Sequence, residues 1–113
     1  MESQSCLAPR VICYSMATIS LGERAVVSQG VHLCSGSHDY ESDSFHLFAR
    51  PISIGADAWV CAEAFVAPGV SIAEGAVIGA RSVVIRNQPA WFVCAGNPCR
   101  PIKPRKKSLD KRV

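Results

Sequence analysis

The sequence contains three histidines, the side chains best suited to moving a proton at neutral pH because their unperturbed pKa lies near ~6.5. They are His32, His38 and His46. His38 stands in the run Gly-Ser-His-Asp-Tyr, so a carboxylate is adjacent at Asp39 and could orient the second ring nitrogen. Adjacent side chains often diverge, however, and a solitary histidine exposed on a turn is the ordinary alternative. We therefore treat His38 as a candidate general base and leave its orienting partner open.

The six cysteines form neither a metal-binding nor a disulfide pattern. They are scattered along the chain without a Cys-x-x-Cys pair, at Cys6, Cys13, Cys34, Cys61, Cys94 and Cys99. Because structural zinc sites commonly use such pairs, no metal is predicted. The first twenty residues include Glu2 and Arg10 and contain no long apolar core of a secretory signal. The sequence therefore predicts reduced thiols and a cytoplasmic location.

Positive charge is concentrated at the C-terminal end of the chain. Seven of the twelve Lys and Arg residues lie in the last fourteen positions, whereas the preceding part has five basic and eight acidic residues, a net charge of about −3. A body of this charge is unsuited to the phosphate backbone of a nucleic acid, so nucleic-acid binding is not predicted. No apolar stretch approaches the ~20 residues of a membrane span, so membrane insertion is not predicted either.

An aliphatic residue recurs every six positions along much of the chain. The repeat runs through Leu21, Val27 and Leu33, and then through Ile54, Val60, Val66, Ile72, Ile78 and Val84. Most of these residues are followed, four positions later, by a small or short one, at Ala25, Val31, Ser37, Ala58, Ala64, Val70, Ala76 and Ser82. Neither an amphipathic helix, with a period near 3.6, nor a single alternating strand produces a strict period of six. We predict that the nine aliphatic residues all point into one interior column.

A coil of three short strands accounts for the period of six, because each hexad then supplies one strand and one corner. Coils of about eighteen residues stack so that their aliphatic residues form a continuous interior, and small residues fit where the walls converge. The low aromatic content of 7% suits such a thin core. The predicted fold is all-β: a parallel β-helix, or hexapeptide-repeat solenoid, of about three coils.

The two runs of hexads are out of phase, because the twenty-one residues from Leu33 to Ile54 are not a multiple of six. A polar segment must leave the coil between them, and Pro51 favours an extended residue at its return. After Val84 the repeat ends, and Ala95-Gly96-Asn97-Pro98 predicts a tight turn. Within a single domain we predict coils at 11–38 and 51–88, an extruded loop at 39–50, a terminal cap at 89–103 and a basic tail at 104–113.

The run Cys34-Ser35-Gly36-Ser37-His38-Asp39-Tyr40 resembles the signature of sugar O-acetyltransferases of the colanic-acid type. Four further runs are similar to the wider family of hexapeptide-repeat acetyltransferases: Ala58-Trp59-Val60, Ala67-Pro68-Gly69-Val70, Val77-Ile78-Gly79-Ala80 and Ala95-Gly96-Asn97-Pro98. The resemblance covers residues 11–103, although family members usually have a longer N-terminal portion that helps to form the acceptor pocket. It implies a left-handed β-helix and an acyltransferase that moves an acetyl group from acetyl-CoA to a hydroxyl of a sugar or related small acceptor.

The resemblance also implies a set of site residues. By this resemblance His38 is the general base. Its position directly before the loop, where the chain leaves the coil, favours a catalytic role over that of a solitary surface histidine. The residues implied to bind the acyl donor are Trp59 beside the pantetheine channel, Ala62 and Ala80 through backbone groups, and Arg100 and Lys103 near the nucleotide phosphates. A homotrimer is implied as well, with active sites between subunits and the loop 39–50 reaching toward the next subunit.

Each of these assignments has a plainer alternative. Trp59 could shield the coil from outside, and Ala62 and Ala80 could satisfy the repeat geometry alone. For the whole chain, a catalytically inert β-helix that serves as a binding or assembly module is the second interpretation. A metal-dependent hydratase of the carbonic anhydrase type is the third, but the short histidine spacing of that zinc site is missing from this sequence.

Overall fold

A computed structural model of the chain describes residues 6–7, 12–14, 18–38 and 47–106, and the side chains of residues 18–36 and 49–106. The described residues form fifteen short strands and no helix, so they include no helix that could cross a membrane. The strands are β1 Cys6–Leu7, β2 Ile12–Tyr14, β3 Ile19–Leu21, β4 Val26–Val27, β5 His32–Cys34, β6 Gly36–His38, β7 Leu47–Ala49, β8 Ile52–Ile54, β9 Trp59–Val60, β10 Phe65–Val66, β11 Ser71–Ile72, β12 Val77–Ile78, β13 Val83–Val84, β14 Phe92–Gly96 and β15 Cys99–Pro104.

The strands form three parallel walls that the chain visits in turn, as the predicted left-handed β-helix requires. Wall A contains β1, β4, β9, β12 and β14 in that order, with β15 added antiparallel at the end. Wall B contains β2, β5, β10 and β13, and wall C contains β3, β8 and β11. We name the turns between walls the AB, BC and CA corners. The molecule is elongated, with principal extents of 54 × 28 × 19 Å.

The predicted interior column is confirmed. All nine aliphatic residues of the repeat are at most 2% exposed. Their strands pair in register, so that Leu21, Ile54 and Ile72 are stacked on wall C, and Val27, Val60 and Ile78 on wall A. The small residues four positions later are also buried wherever their side chains are described, including Ala25, Ala58, Ala64 and Ala76. Apolar burial along the whole axis therefore stabilises the coil.

In seven of the nine hexads the corner has a residue with a positive φ angle at the fourth position, three residues after the aliphatic one. Glycine occupies some of these positions, but Arg24, Asp57, Glu63 and Arg81 adopt the same conformation with φ between 61° and 62°. The charged ones pair between coils: Arg24 Nε lies 2.7 Å from Asp57 Oδ1, and Arg81 Nε lies 3.0 Å from Glu63 Oε1. Ion pairs this exposed contribute little stability, so they accompany the stacking and do not cause it.

The helix has one more coil than the sequence predicts. β1 pairs with β4 and β2 pairs with β5, so the parallel walls begin at Cys6, before residue 11, and the count of about three coils is too low. The register aligns Cys13 with Leu33 and Leu21 with Ile54, so the positions aligned with the interior column are eight residues apart in the first coil, compared with six in the regular hexads. A search for six-residue spacing misses this coil because its corner is two residues longer.

The extruded segment leaves the helix at the BC corner through an antiparallel pair. β6 and β7 pair with Gly36 opposite Ala49 and His38 opposite Leu47. The amide of Arg50 then donates to the carbonyl of Ser35 at 2.9 Å, which closes the base of the excursion before β8. Residues 39–46, most of the predicted loop, lie outside the described residues.

The C-terminal segment closes the end of the helix. Gln88 bridges to Ile72 on wall C, and β14 continues wall A before the chain turns back at a cis Asn97–Pro98 peptide into β15. At the start of the predicted basic tail, Arg105 is fixed by two hydrogen bonds of 2.9 Å to the carbonyls of Asp57 and Gly75. Residues 107–113 of that tail lie outside the described part of the chain.

The interior column predicts a position-specific stability effect. Ile72→Asp places an unpaired carboxylate in the column and should reduce the free energy of unfolding by about 4 kcal/mol or more. Ser71→Asp is the matched control, because Ser71 is the exposed neighbour on the same strand and should change stability by less than about 0.5 kcal/mol. Thermal and denaturant unfolding followed by circular dichroism measures both. Equal effects of the two substitutions would contradict the interior column.

Candidate functional site

His38, the predicted general base, lies at the end of β6, where the chain leaves the BC corner. Its backbone pairs with that of Leu47 in the antiparallel ladder. The His38 side chain and the whole of Asp39 lie outside the described part, so the orientation of the imidazole stays a prediction. His38 therefore belongs to the segment that leaves the helix, and to none of the three parallel walls.

The five residues implied to bind the acyl donor lie together on wall A, its β15 extension and the AB corner. Trp59 pairs with Val77, Val77 with Val93, and Val93 with Lys103, so these outward positions form a row parallel to the helix axis. We call this series, begun by Val26, the wall A row. Three strand spacings separate Trp59 from Lys103, about 14 Å. The wall A row is thus a straight track of outward side chains that includes the indole of Trp59 and ends at the cation of Lys103.

A β-bulge places both predicted phosphate-binding residues on the same face. Arg100 and Lys103 are three positions apart, and in a regular strand an odd spacing points side chains to opposite faces. The ladder shifts register between Val93 and Cys94, so that Lys103 pairs with Val93 while Arg100 pairs with Ala95. The extra residue of the bulge is Ile102, which is 62% exposed. Both cations therefore extend outward at the end of the wall A row.

Ala62 and Ala80 lie one above the other in turns of the AB corner. Within the described residues the carbonyl of Ala62 accepts a bond from the amide of Arg81 at 2.9 Å, but the amides of Ala62 and Ala80 donate to no acceptor. Ala80 is exposed and Ala62 half-buried, so this corner faces solvent and its two amides have no acceptor among the described residues. Two donors spaced by one coil suit an extended chain of polar groups that runs parallel to the axis.

Trp59 is held against wall A by a contact that the sequence alone does not reveal. Its indole Nε1 donates a 2.8 Å hydrogen bond to Ser28 Oγ on the preceding coil, while 46% of the residue stays exposed. The two residues are thirty-one positions apart, and only the stacking of coils brings them together. A large, half-exposed ring with its polar edge already satisfied offers a flat apolar surface to a ligand.

The thiols near this face are poor nucleophiles. Burial raises the pKa of the Cys61 thiol, and burial together with the neighbouring Cys99 raises the pKa of Cys94 to about 11. Both therefore stay protonated at neutral pH, which gives no support to a covalent acyl-cysteine. In the described residues no group of three His, Cys, Asp or Glu side chains could hold a metal ion.

His38 and the wall A row lie on different sides of the chain. The BC corner, from which His38 extends, is the corner of the triangular coil opposite wall A. Wall B separates it from the AB corner that carries Ala62 and Ala80. Within one chain, the candidate base is therefore not next to the residues predicted to bind the acyl donor.

Sequence comparison finds relatives among acetyltransferases, although no model of a protein family matches the chain. A WcaF protein of Escherichia coli strain K12, assigned as a colanic acid biosynthesis acetyltransferase, is 47% identical over 92 residues, which are 81% of this chain and 50% of the relative. The galactoside O-acetyltransferase of the same strain is 32% identical over 89 residues, which are 76% of this chain and 44% of the relative. The chain thus spans about half the length of these relatives.

Structural comparison supports the same fold. A mutant of AntD, an N-acyltransferase of Bacillus cereus in complex with dTDP and coenzyme A, superposes with a TM-score of 0.86 and 21% identity over 95% of this chain and 64% of the other. At this identity the likeness concerns the fold alone. Together with the hexad core and the sequence relatives, it confirms the resemblance: over four fifths of its length the chain is a relative of the hexapeptide-repeat acetyltransferases, of the colanic-acid type, and shares their left-handed β-helix.

Proposed function

We propose that this chain is a CoA-dependent O-acetyltransferase that moves the acetyl group of acetyl-CoA to a hydroxyl of a sugar or related small acceptor. The observation that carries the proposal is the wall A row with its AB corner, because Trp59, two open amides and two cations follow one straight track. The relatives named for O-acetyl transfer support the reaction type. AntD, named as an N-acyltransferase, makes an amine the alternative acceptor.

Acetyl-CoA fits this track by its chemistry. The pantetheine arm is extended and carries two amide groups, which the backbone amides of Ala62 and Ala80 can meet at their carbonyl oxygens. Trp59 supplies an apolar surface beside the arm, fixed by its bond to Ser28. At the end of the row Arg100 and Lys103 meet phosphate oxygens by charge-assisted hydrogen bonds. The residues thus match the apolar arm, the amide groups and the phosphates of one linear molecule.

His38 then acts on the acceptor. Its neutral imidazole removes the hydroxyl proton as the oxygen attacks the thioester carbon, which forms the C–O bond. Collapse of the tetrahedral intermediate breaks the C–S bond, and the proton held by His38 is available to the departing thiolate. Because the nearby thiols keep their protons, direct transfer without an acyl-enzyme is the simpler route.

The separation of His38 from the wall A row supports an active site shared between subunits of a homotrimer. Outward residues on walls A and B are largely apolar, including Val26 and Phe65, whereas the wall C ladder is the exposed serines Ser20, Ser53 and Ser71. Packing of apolar walls between copies buries that surface and brings His38 of one copy toward the row of the next. The cytoplasmic location predicted from the cysteines stays a prediction.

Replacing His38 separates catalysis from donor binding. His38→Ala should lower turnover by about a hundredfold or more, the usual contribution of a positioned base, and leave CoA affinity unchanged. Ser53→Ala is the control, because Ser53 is exposed on wall C, which is neither of the walls proposed to pack between copies. Release of free CoA thiol with a panel of sugar acceptors measures turnover. If His38→Ala keeps wild-type turnover, His38 is not the base; if wild-type protein binds no CoA at millimolar concentration, the inert module is the better interpretation.

A shared active site predicts complementation between two inactive variants. His38→Ala lacks the base, and the double variant Arg100→Met, Lys103→Met should lose CoA binding by about 5- to 150-fold. When the two are dissociated, mixed and reassembled, some sites combine an intact His38 with an intact donor track, and activity should return to a substantial fraction of wild type. Mixing each variant with itself is the control. Absence of any recovery in mixed oligomers would contradict the shared site.

A further inference from the structure

Arg105 ties the end of β15 to the body of the helix. Its Nη1 donates to the carbonyls of Asp57 and Gly75, both at 2.9 Å, and its guanidinium lies 5.3 Å from the centroid of the Trp91 ring. Its backbone amide donates to the Trp91 carbonyl at 2.7 Å. These contacts span the CA corners of two coils and the start of β14. We call this arrangement the CA latch.

Gly75 makes room for the aromatic part of the CA latch. A Cβ atom at this position would lie 2.3–2.5 Å from three atoms of the Trp91 ring, so only a residue without a side chain lets the ring lie against the corner. The ring in turn supports the guanidinium of Arg105. Any residue with a Cβ at position 75 should displace Trp91 and, with it, Arg105.

The start of β15 is anchored by the buried side chain of Cys99, whereas the CA latch holds its C-terminal end, beyond the bulge. β15 is at the end of wall A, and among the described strands it pairs with β14 alone. Its ladder is interrupted by the bulge at Ile102, and its outward residues are exposed. An edge strand with a broken ladder frays unless its end is fixed. Arg105 is directly beyond β15, two residues after Lys103, so it fixes the end that the bulge weakens.

We propose that Arg105 is a positioning residue for the acyl donor: through the CA latch it holds β15 so that Arg100 and Lys103 are prearranged for the phosphates of CoA. The inference rests on the proposed function. Arg105 itself does not reach the ligand, because its guanidinium is engaged at the CA corner, across wall A from the open amides of Ala62 and Ala80. Prearranged cations lose less side-chain and backbone freedom on binding, so the latch contributes to affinity without contact.

The test compares two ligands on latch variants. CoA reaches both Trp59 and the cations of β15, whereas pantetheine lacks the phosphates and reaches only the first part of the track. Arg105→Met removes the latch cation, Arg105→Lys keeps a cation, and Gly75→Ala displaces Trp91 without changing any charge. Two controls match them. Arg86→Met removes an exposed cation that belongs neither to β15 nor to the CA latch, and Gly69→Ala changes another positive-φ glycine, with φ of 80°, at the BC corner.

We expect Arg105→Met and Gly75→Ala to weaken CoA binding about tenfold and to reduce its salt dependence, while pantetheine binding stays within about twofold of wild type. Arg105→Lys should recover part of the CoA affinity, and both controls should resemble wild type. Unchanged CoA binding in the latch variants, or equal losses for CoA and pantetheine, would overturn the positioning role and leave the proposed function standing. A wild-type protein that binds CoA no better than pantetheine would overturn both.

Discussion

Each hexad of the regular coils places one aliphatic side chain and one small corner residue in the narrow interior, and only the longer strands such as β8 add a second inward residue, Ile52. This constraint follows from three walls that close around a narrow axis, with every strand bonded to the coil before and after it. Val27, Val60 and Ile78 therefore have to stack in register, because a shift by one residue would turn the aliphatic side chain outward. The strict period of six in the sequence is the direct result. A longer or shorter hexad is possible only where the chain leaves the coil or at its ends.

Register in the interior imposes register on the surface. When inward residues stack, the outward residues beside them also form straight rows, and the nature of each row gives each wall a different role. Wall C carries serines, whereas the wall A row carries Trp59 and ends at Lys103. An extended ligand is the natural complement of such a row, because successive coils offer donors at a constant spacing along one line. Departures from the repeat change which residues share a face. The bulge at Ile102 turns Lys103 to the same face as Arg100, and the proposed role of the CA latch is to hold that arrangement.

The sequence predicted what depends on local spacing and missed what depends on contacts between coils. Periodicity alone identified the nine buried aliphatic residues, and the break in phase indicated that a segment leaves the coil between Leu33 and Ile54. The first coil escaped prediction because Cys13 and Leu21 are eight residues apart. Ser28 and Arg105 gave no local signal, since the hydrogen-bond partners of their side chains lie thirty to forty-eight positions away. The likeness of Arg100 and Lys103 to phosphate-binding residues was visible in the sequence, but the bulge that lets them share a face was not.

The central claim is that the AB corner beside the wall A row holds the acyl donor through its open backbone amides. Hydrogen exchange of individual amides with and without CoA tests it most directly, because Ala62 and Ala80 have counterparts at the same turn position on the CA corner, Ala56 and Glu74. In the described residues none of these four amides donates a hydrogen bond to the protein. Saturating CoA should slow exchange at Ala62 and Ala80 by about tenfold or more and leave Ala56 and Glu74 unchanged. Equal slowing at both corners, or slowing at neither, would contradict the account.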